Sequence, residues 1–217
     1  MCFAPFVVRS SFDSRHTISV MKVTVAHSPD SDDAFMFYGL ASGAVQVPGF
    51  EVDQVLSDIE SLNRAAFEGR YEVTAVSFHA YAHLLDKYAL LPHGASMGDK
   101  YGPILVSKKP WAPVKDGRQV PLKGLKIGVP GRLTSAFLTL QLYDPVFDFE
   151  IIPFDKIQDA VQDGTVDAGL LIHEGQLTYK SMGLHLVVDL GVAGAAVVPA
   201  RAVVRGDAVR RDPRSGA

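Results

Sequence analysis

The sequence predicts an α/β protein of two lobes built around largely parallel sheets. Three observations carry this. Short β-prone runs alternate with helical stretches of about ten residues, the pattern of βα units. The carboxyl ends of several runs empty into hydroxyl- or acid-rich turns that open a helix. A Pro-, Gly- and Lys-rich stretch, SKKPWAPVKDGRQVPLKG from Ser107 to Gly124, then separates an N-terminal set from a C-terminal one.

The elements follow in order. Met21–Ala26 alternates β-branched and polar residues and reads as a strand. Asp32 to Ser42 reads as a helix, with Phe35, Met36, Tyr38 and Leu40 as its apolar residues and Gly43 as its stop. Phe50–Leu56 is a second strand. Asp58 caps a helix whose apolar face is Ile59, Leu62, Ala65, Ala66 and Phe67, ended by Glu68-Gly69-Arg70. Val73–Ser77 reads as a strand and Phe78 to Tyr88 as a helix. Leu90–Gly94, Ile104–Ser107 and Leu125–Val129 read as strands. Thr134 to Tyr143 is a helix, Glu150–Pro153 a strand, and Asp155 to Asp163 a helix stopped by Gly164. Asp167–Ile172 and His185–Leu190 complete the strands. The first lobe is therefore expected over 21–107 and the second over 108–190, with 108–124 as linker.

The two ends read differently. Met1–Val20 lacks the basic start of an export signal, and Arg9, Asp13 and Arg15 interrupt its apolar run. It reads as a disordered segment or an over-extended reading frame. From Val192 onward the residues are almost entirely Ala, Val, Arg, Gly, Asp and Pro. Residues 191–217 read as a low-complexity tail, of the kind that a shifted frame through GC-rich DNA produces.

Composition narrows the classes. A net charge of -3 over 217 residues offers no electrostatic attraction for nucleic acid or an anionic membrane. No apolar run reaches the roughly 18 residues of a membrane span. The lone Cys2 cannot form an internal disulfide, which suits a reducing compartment, so a cytoplasmic location is expected.

Four stretches can carry chemistry. SPDSDDAF (Ser28–Phe35) lies where a strand meets a helix start, the place where open α/β sheets bind ligands. Asp32 and Asp33 there suit a helix N-terminus, and capping alone accounts for them; Pro29 pins the turn that presents Ser28. VTAVSFHAYAHLL (Val73–Leu85) repeats the geometry with Ser77, which reads equally as an N-cap or a ligand contact, followed by His79 and His83 at i, i+4. With no intervening Glu and no third ligand, that pair favours structural histidines over a metal site. GVPGRLTSAF (Gly128–Phe137) sets Thr134 and Ser135 at a helix start, where hydroxyls and free amides can receive a carboxylate or polyol; a capping Thr or Ser needs no ligand, but two adjacent hydroxyls after Pro-Gly-Arg favour ligand binding. VDAGLLIHEGQLTY (Val166–Tyr179) puts His173 just past an apolar strand, with Glu174 beside it either to orient the ring or to face solvent. A nucleophile elbow, a Walker loop and a dinucleotide fingerprint are all absent from the sequence.

Two lobes with hydroxyls and helix starts facing a shared cleft is the layout of type II periplasmic binding proteins. HSPDSDDAFMFYGL, DIESLNRAAFEGRYEVTAVSFHAYAHL, VPGRLTSAFLTLQLY and AGLLIHEGQLTYKSMGLHLVVDLG, in this order from Met21 to Gly191, resemble the 1,4-dihydroxy-6-naphthoate synthase family, cytoplasmic enzymes built on that fold. The resemblance implies a small-molecule substrate, cyclic dehypoxanthinylfutalosine, split to 1,4-dihydroxy-6-naphthoate and dihydroxyacetone on the futalosine route to menaquinone. It implies no metal or organic cofactor. By position it implies His173 as proton acceptor, and substrate contacts at Ala75, Val76 and Ser77 and at Thr134 and Ser135. Some members carry Lys where this chain has Ala75, which leaves a backbone contact there. Ser28 joins this set from the residue-level reading alone.

Members of that family continue past the equivalent of Gly191 and return to the first lobe. An incomplete return, with exposed apolar surface on lobe 1 and lowered stability, is therefore expected here. The competing readings are a non-catalytic binding protein of the same fold, the chorismate-dehydrating sister enzyme, and an inactive product.

Overall fold

The computed structural model describes residues 20–96, 98, 101–111, 120–172 and 174–193, together with the backbone of Arg201–Arg205. Ten strands form two five-stranded sheets, and both sheets follow the same plan. In the first, β1 (Met21–His27) pairs in parallel with β2 (Phe50–Leu56) and with β3 (Val73–Val76). In the second, β6 (Lys126–Val129) pairs in parallel with β7 (Asp148–Ile151) and with β8 (Ala168–Leu171). An antiparallel strand extends each triplet. It is β10 (Arg201–Arg205) between β3 and β4 (Tyr88–Ala95) in the first sheet. In the second it is β5 (Ile104–Ser107) between β8 and β9 (His185–Asp189).

The chain thus crosses between the sheets twice, from β4 to β5 and from β9 to β10. Two expectations change. The lobe boundary lies before Ile104 and not after Ser107, because β5, buried along its whole length, pairs with β8 and β9. The segment read as a featureless tail supplies a strand to the first sheet, since Val203 and Val204 lie in a β-branched run that suits a slot between two strands.

Helices connect the parallel strands. Local chemistry sets their ends. Asp30 caps α1 (Ser31–Ala41), Asp58 caps α2 (Ile59–Phe67), and Thr134 caps α4 (Ser135–Tyr143), each accepting from the amide three residues on. The helix expected over Phe78 to Tyr88 ends early: α3 covers only Phe78–Tyr81. Leu84 and Tyr88 instead turn into the first-lobe core, and β4 begins at Tyr88. A one-turn helix, α6 (Gly175–Thr178), follows β8. In the second lobe Leu105, Ile127, Leu140 and Leu170 are completely buried, each worth about 1.5–3 kcal/mol relative to exposure. Helix α1 is less well covered: its buried residue is Asp33, whereas Phe35 and Tyr38 stand in solvent. Among the described residues no helix is long and apolar enough to cross a membrane.

Helix α5 (Ile157–Asp163) stops at Gly164, which takes the left-handed φ of +81° that a side chain would strain. Asp163 Oδ1 accepts from the Thr165 hydroxyl at 2.6 Å and the Thr165 amide at 2.8 Å. These bonds, the hydroxyl's foremost, hold its carboxyl below the ordinary range. A pKa lowered by folding stabilises fully above the unfolded value of about 3.9, and that part is lost as pH falls through the folded value. Asp163→Asn is expected to make the acid limb of a urea-midpoint-against-pH curve shallower below about pH 4.

Candidate functional site

A cavity of about 350 Å³ lies between the two sheets. Its walls are the turns that follow the carboxyl ends of parallel strands: Ser28 after β1, Ser77 after β3, Thr134 and Ser135 after β6, and Ile172 and Glu174 after β8. This is where strand ends leave backbone amides free and where such sheets bind ligands. Tyr101, Gly102 and Pro103, on the first crossover, close one side.

The acid-rich turn resolves into a cap. Asp30 Oδ1 accepts from Asp33 N at 3.0 Å, and Asp33 Oδ2 reaches back to accept from Ser28 N at 2.7 Å. Asp30 N donates to Ser28 Oγ at 3.3 Å. Two of the three aspartates therefore fold the turn that presents Ser28, which is itself buried. The third, Asp32, is exposed and accepts from Ser96 Oγ at 2.6 Å, tying α1 to the end of β4.

The hydroxyl pair of the second lobe divides its work. Thr134 Oγ1 donates to Gly131 O at 2.8 Å and accepts from Phe137 N at 3.1 Å, so it is a cap and offers no proton to a ligand. Ser135 Oγ is buried and has no hydrogen-bond partner among the described residues. An unmatched buried hydroxyl costs about 1–3 kcal/mol, which a bound oxygen would recover. Ser135, then, is the member of the pair whose hydroxyl is uncommitted among the described residues.

Ser77 stands opposite, 3% exposed. Its amide donates to Asn63 Oδ1 at 2.8 Å, and its Oγ accepts from Asn63 Nδ2 at 3.1 Å. Ala75 and Val76 sit behind it in β3, buried, with their backbones paired to β10 at Ala202 and Arg201; they do not line the cavity. His173 lies outside the described residues, while both its neighbours line the cavity. His79 and His83 form no metal cluster among the described residues; His79 Nδ1 donates to Thr134 O at 3.3 Å.

Sequence reasoning missed Glu60 and Asn63 on α2, 7% and 0% exposed. Their signal was weak: two polar residues at i, i+3 flanking an apolar stripe read as a solvated edge. No Lys or Arg stands among the described lining residues, whose carboxylates are Asp30, Asp32, Asp33 and Glu174. An anionic ligand group would be held by Ser135 Oγ and the first amides of α4.

Comparison with known proteins follows the same lines. A family model described as menaquinone biosynthesis matches residues 23–212, a span that includes β10. The chain is 42% identical over 164 residues to the 1,4-dihydroxy-6-naphtoate synthase of Thermus thermophilus, covering 76% of this chain and 57% of that one. It is 35% identical over 181 residues to the enzyme of that name from Streptomyces coelicolor, covering 80% and 61%. It therefore spans about three fifths of the length of the curated relatives it matches. A crystal structure of an Archaeoglobus fulgidus protein superposes with a TM-score of 0.78 at 46% identity, over 88% of this chain and 70% of that one. The alkanesulfonate-binding protein of Xanthomonas axonopodis shares the fold, with a TM-score of 0.66 at 14% identity over 87% and 67%.

Proposed function

Because the chain belongs to the menaquinone biosynthesis family, we propose that it acts as a 1,4-dihydroxy-6-naphthoate synthase-like carbon–carbon lyase. In this reading cyclic dehypoxanthinylfutalosine enters the interlobe cavity and leaves as 1,4-dihydroxy-6-naphthoate and dihydroxyacetone. The observation that carries the reading is the cavity wall itself. Ser77 from one lobe lines the same cavity as Ser135, unpartnered among the described residues, and a helix start from the other, all at strand carboxyl ends.

The chemistry needs a base to remove a proton from a carbon beside an electron-withdrawing group, in a site from which water is largely excluded. His173 is the base in this proposal, supported by the lining positions of Ile172 and Glu174 on either side of it. Ser135 and the α4 amides hold the substrate carboxylate, and Ser77 and Ser28 hold its polyol oxygens. Ala75 and Val76 support this wall from within the sheet, and no cofactor takes part.

The test is direct. Incubation of the chain with the cyclic substrate is expected to release dihydroxyacetone and the naphthoate in equal amounts. Ser135→Ala is expected to raise KM about tenfold, the worth of one well-placed hydrogen bond. Stoichiometric binding with no product would replace this reading with that of a binding protein of the same fold.

A further inference from the structure

Helix α2 belongs to the first lobe but holds the second. Asn63 is wholly buried and makes three bonds: Ser77 N to its Oδ1, and its Nδ2 to Ser77 Oγ and, at 3.4 Å, to Leu133 O. The amide has only one orientation, since Ser77 N can only donate and Leu133 O can only accept. Ser77 Oγ must then accept from Nδ2. Its own proton has no acceptor among the described residues, and it sits on the cavity wall. One turn earlier, Glu60 Oε2 accepts from Leu133 N at 3.1 Å. The loop that leads into α4 is thus gripped at both backbone groups of Leu133 from one face of α2.

We propose that Asn63 is a positioning residue: it turns the Ser77 hydroxyl proton into the cavity and, with Glu60, fixes the spacing between that hydroxyl and the start of α4. The proposal deepens the enzymatic reading and rests on it for its effect on turnover. Its effect on the spacing of the lobes needs no substrate.

Two measurements test it. The first is a double-mutant cycle on turnover. Asn63→Ala and Ser77→Ala should each raise KM about tenfold with kcat changed less than about twofold, and the double variant should be no worse than the poorer single. Asn63→Asp, which turns the hydroxyl toward the carboxylate, should lose as much. Additive effects, or a fall in kcat with KM unchanged, would overturn the proposal. The second measurement is the interlobe distance without ligand, from spin labels at Asp53→Cys and Gln141→Cys in a Cys2→Ser background. Asn63→Ala should broaden that distribution toward longer distances, and an unchanged distribution overturns the proposal whatever the turnover. If Asn63→Ala does not fold, Asn63→Ser and Glu60→Ala carry the same two tests. If the unmodified chain turns over no substrate, the enzymatic reading fails, and the distances alone decide for or against the positioning role.

Discussion

Replacing His173 with alanine is expected to lower kcat/KM by about 10²–10⁴-fold while leaving the unfolding midpoint unchanged, because general-base assistance contributes that much to proton removal from carbon. The three aspartates of the cavity wall are committed elsewhere. Asp30 and Asp33 spend their oxygens on the α1 cap and on Ser28, and Asp32 is engaged with Ser96. Thr134 is saturated as a cap, and Ser77 and Ser135 are neutral hydroxyls suited to binding. The variant should retain substrate binding within a few-fold. Its kcat/KM profile should lose the limb that reports a titrating base in the free enzyme. Turnover close to that of the unmodified protein would remove His173 from the reaction.

Gly131→Ala is expected to cost about 1–3 kcal/mol of stability and to raise KM, because the new methyl has nowhere to go. Its Cβ would lie 2.2 Å from Glu60 Oε2 and 2.3 Å from the carboxyl carbon. Glu60 is 7% exposed, bonds Leu133 N, and pairs with Arg64 at 3.2 Å, so it cannot swing away without breaking the interlobe join. Chemical denaturation of the single and double variants checks this. Glu60→Ala in the Gly131→Ala background removes the clashing atoms, and the pair should cost less than the sum of the two singles. Strict additivity would mean that the two residues do not meet.

Much of the local structure was legible in the sequence. The cap at Asp58, the stops at Gly43 and Gly164, and the extents of β2 and β5 are consequences of neighbouring residues, and they read correctly, whereas Thr134, read as a substrate contact, is spent as a cap. Also read correctly was the placing of Ser28, Ser77 and Ser135 at strand-to-helix turns, which the structure gathers around one cavity. The helix expected through Tyr88 failed because a helical apolar pattern there serves a turn that buries Leu84 and Tyr88. In α1 the expected apolar residues gave way to Asp33, whose carboxylate is buried because it folds the Ser28 turn.

By itself, then, the sequence determined the order and type of most elements, the family, and which hydroxyls stand at helix starts, since spacing, capping and turn chemistry act over a few residues. Only the tertiary structure decided that β5 and β10 each fill a slot in a sheet reached by crossing between lobes. Only it distinguished the spent hydroxyl of Thr134 from the open one of Ser135, and joined Asn63 to Leu133 across 70 positions. Strand pairing and buried polar contacts are settled by which backbone and side-chain groups are still unsatisfied when distant segments meet, and no local pattern records that choice.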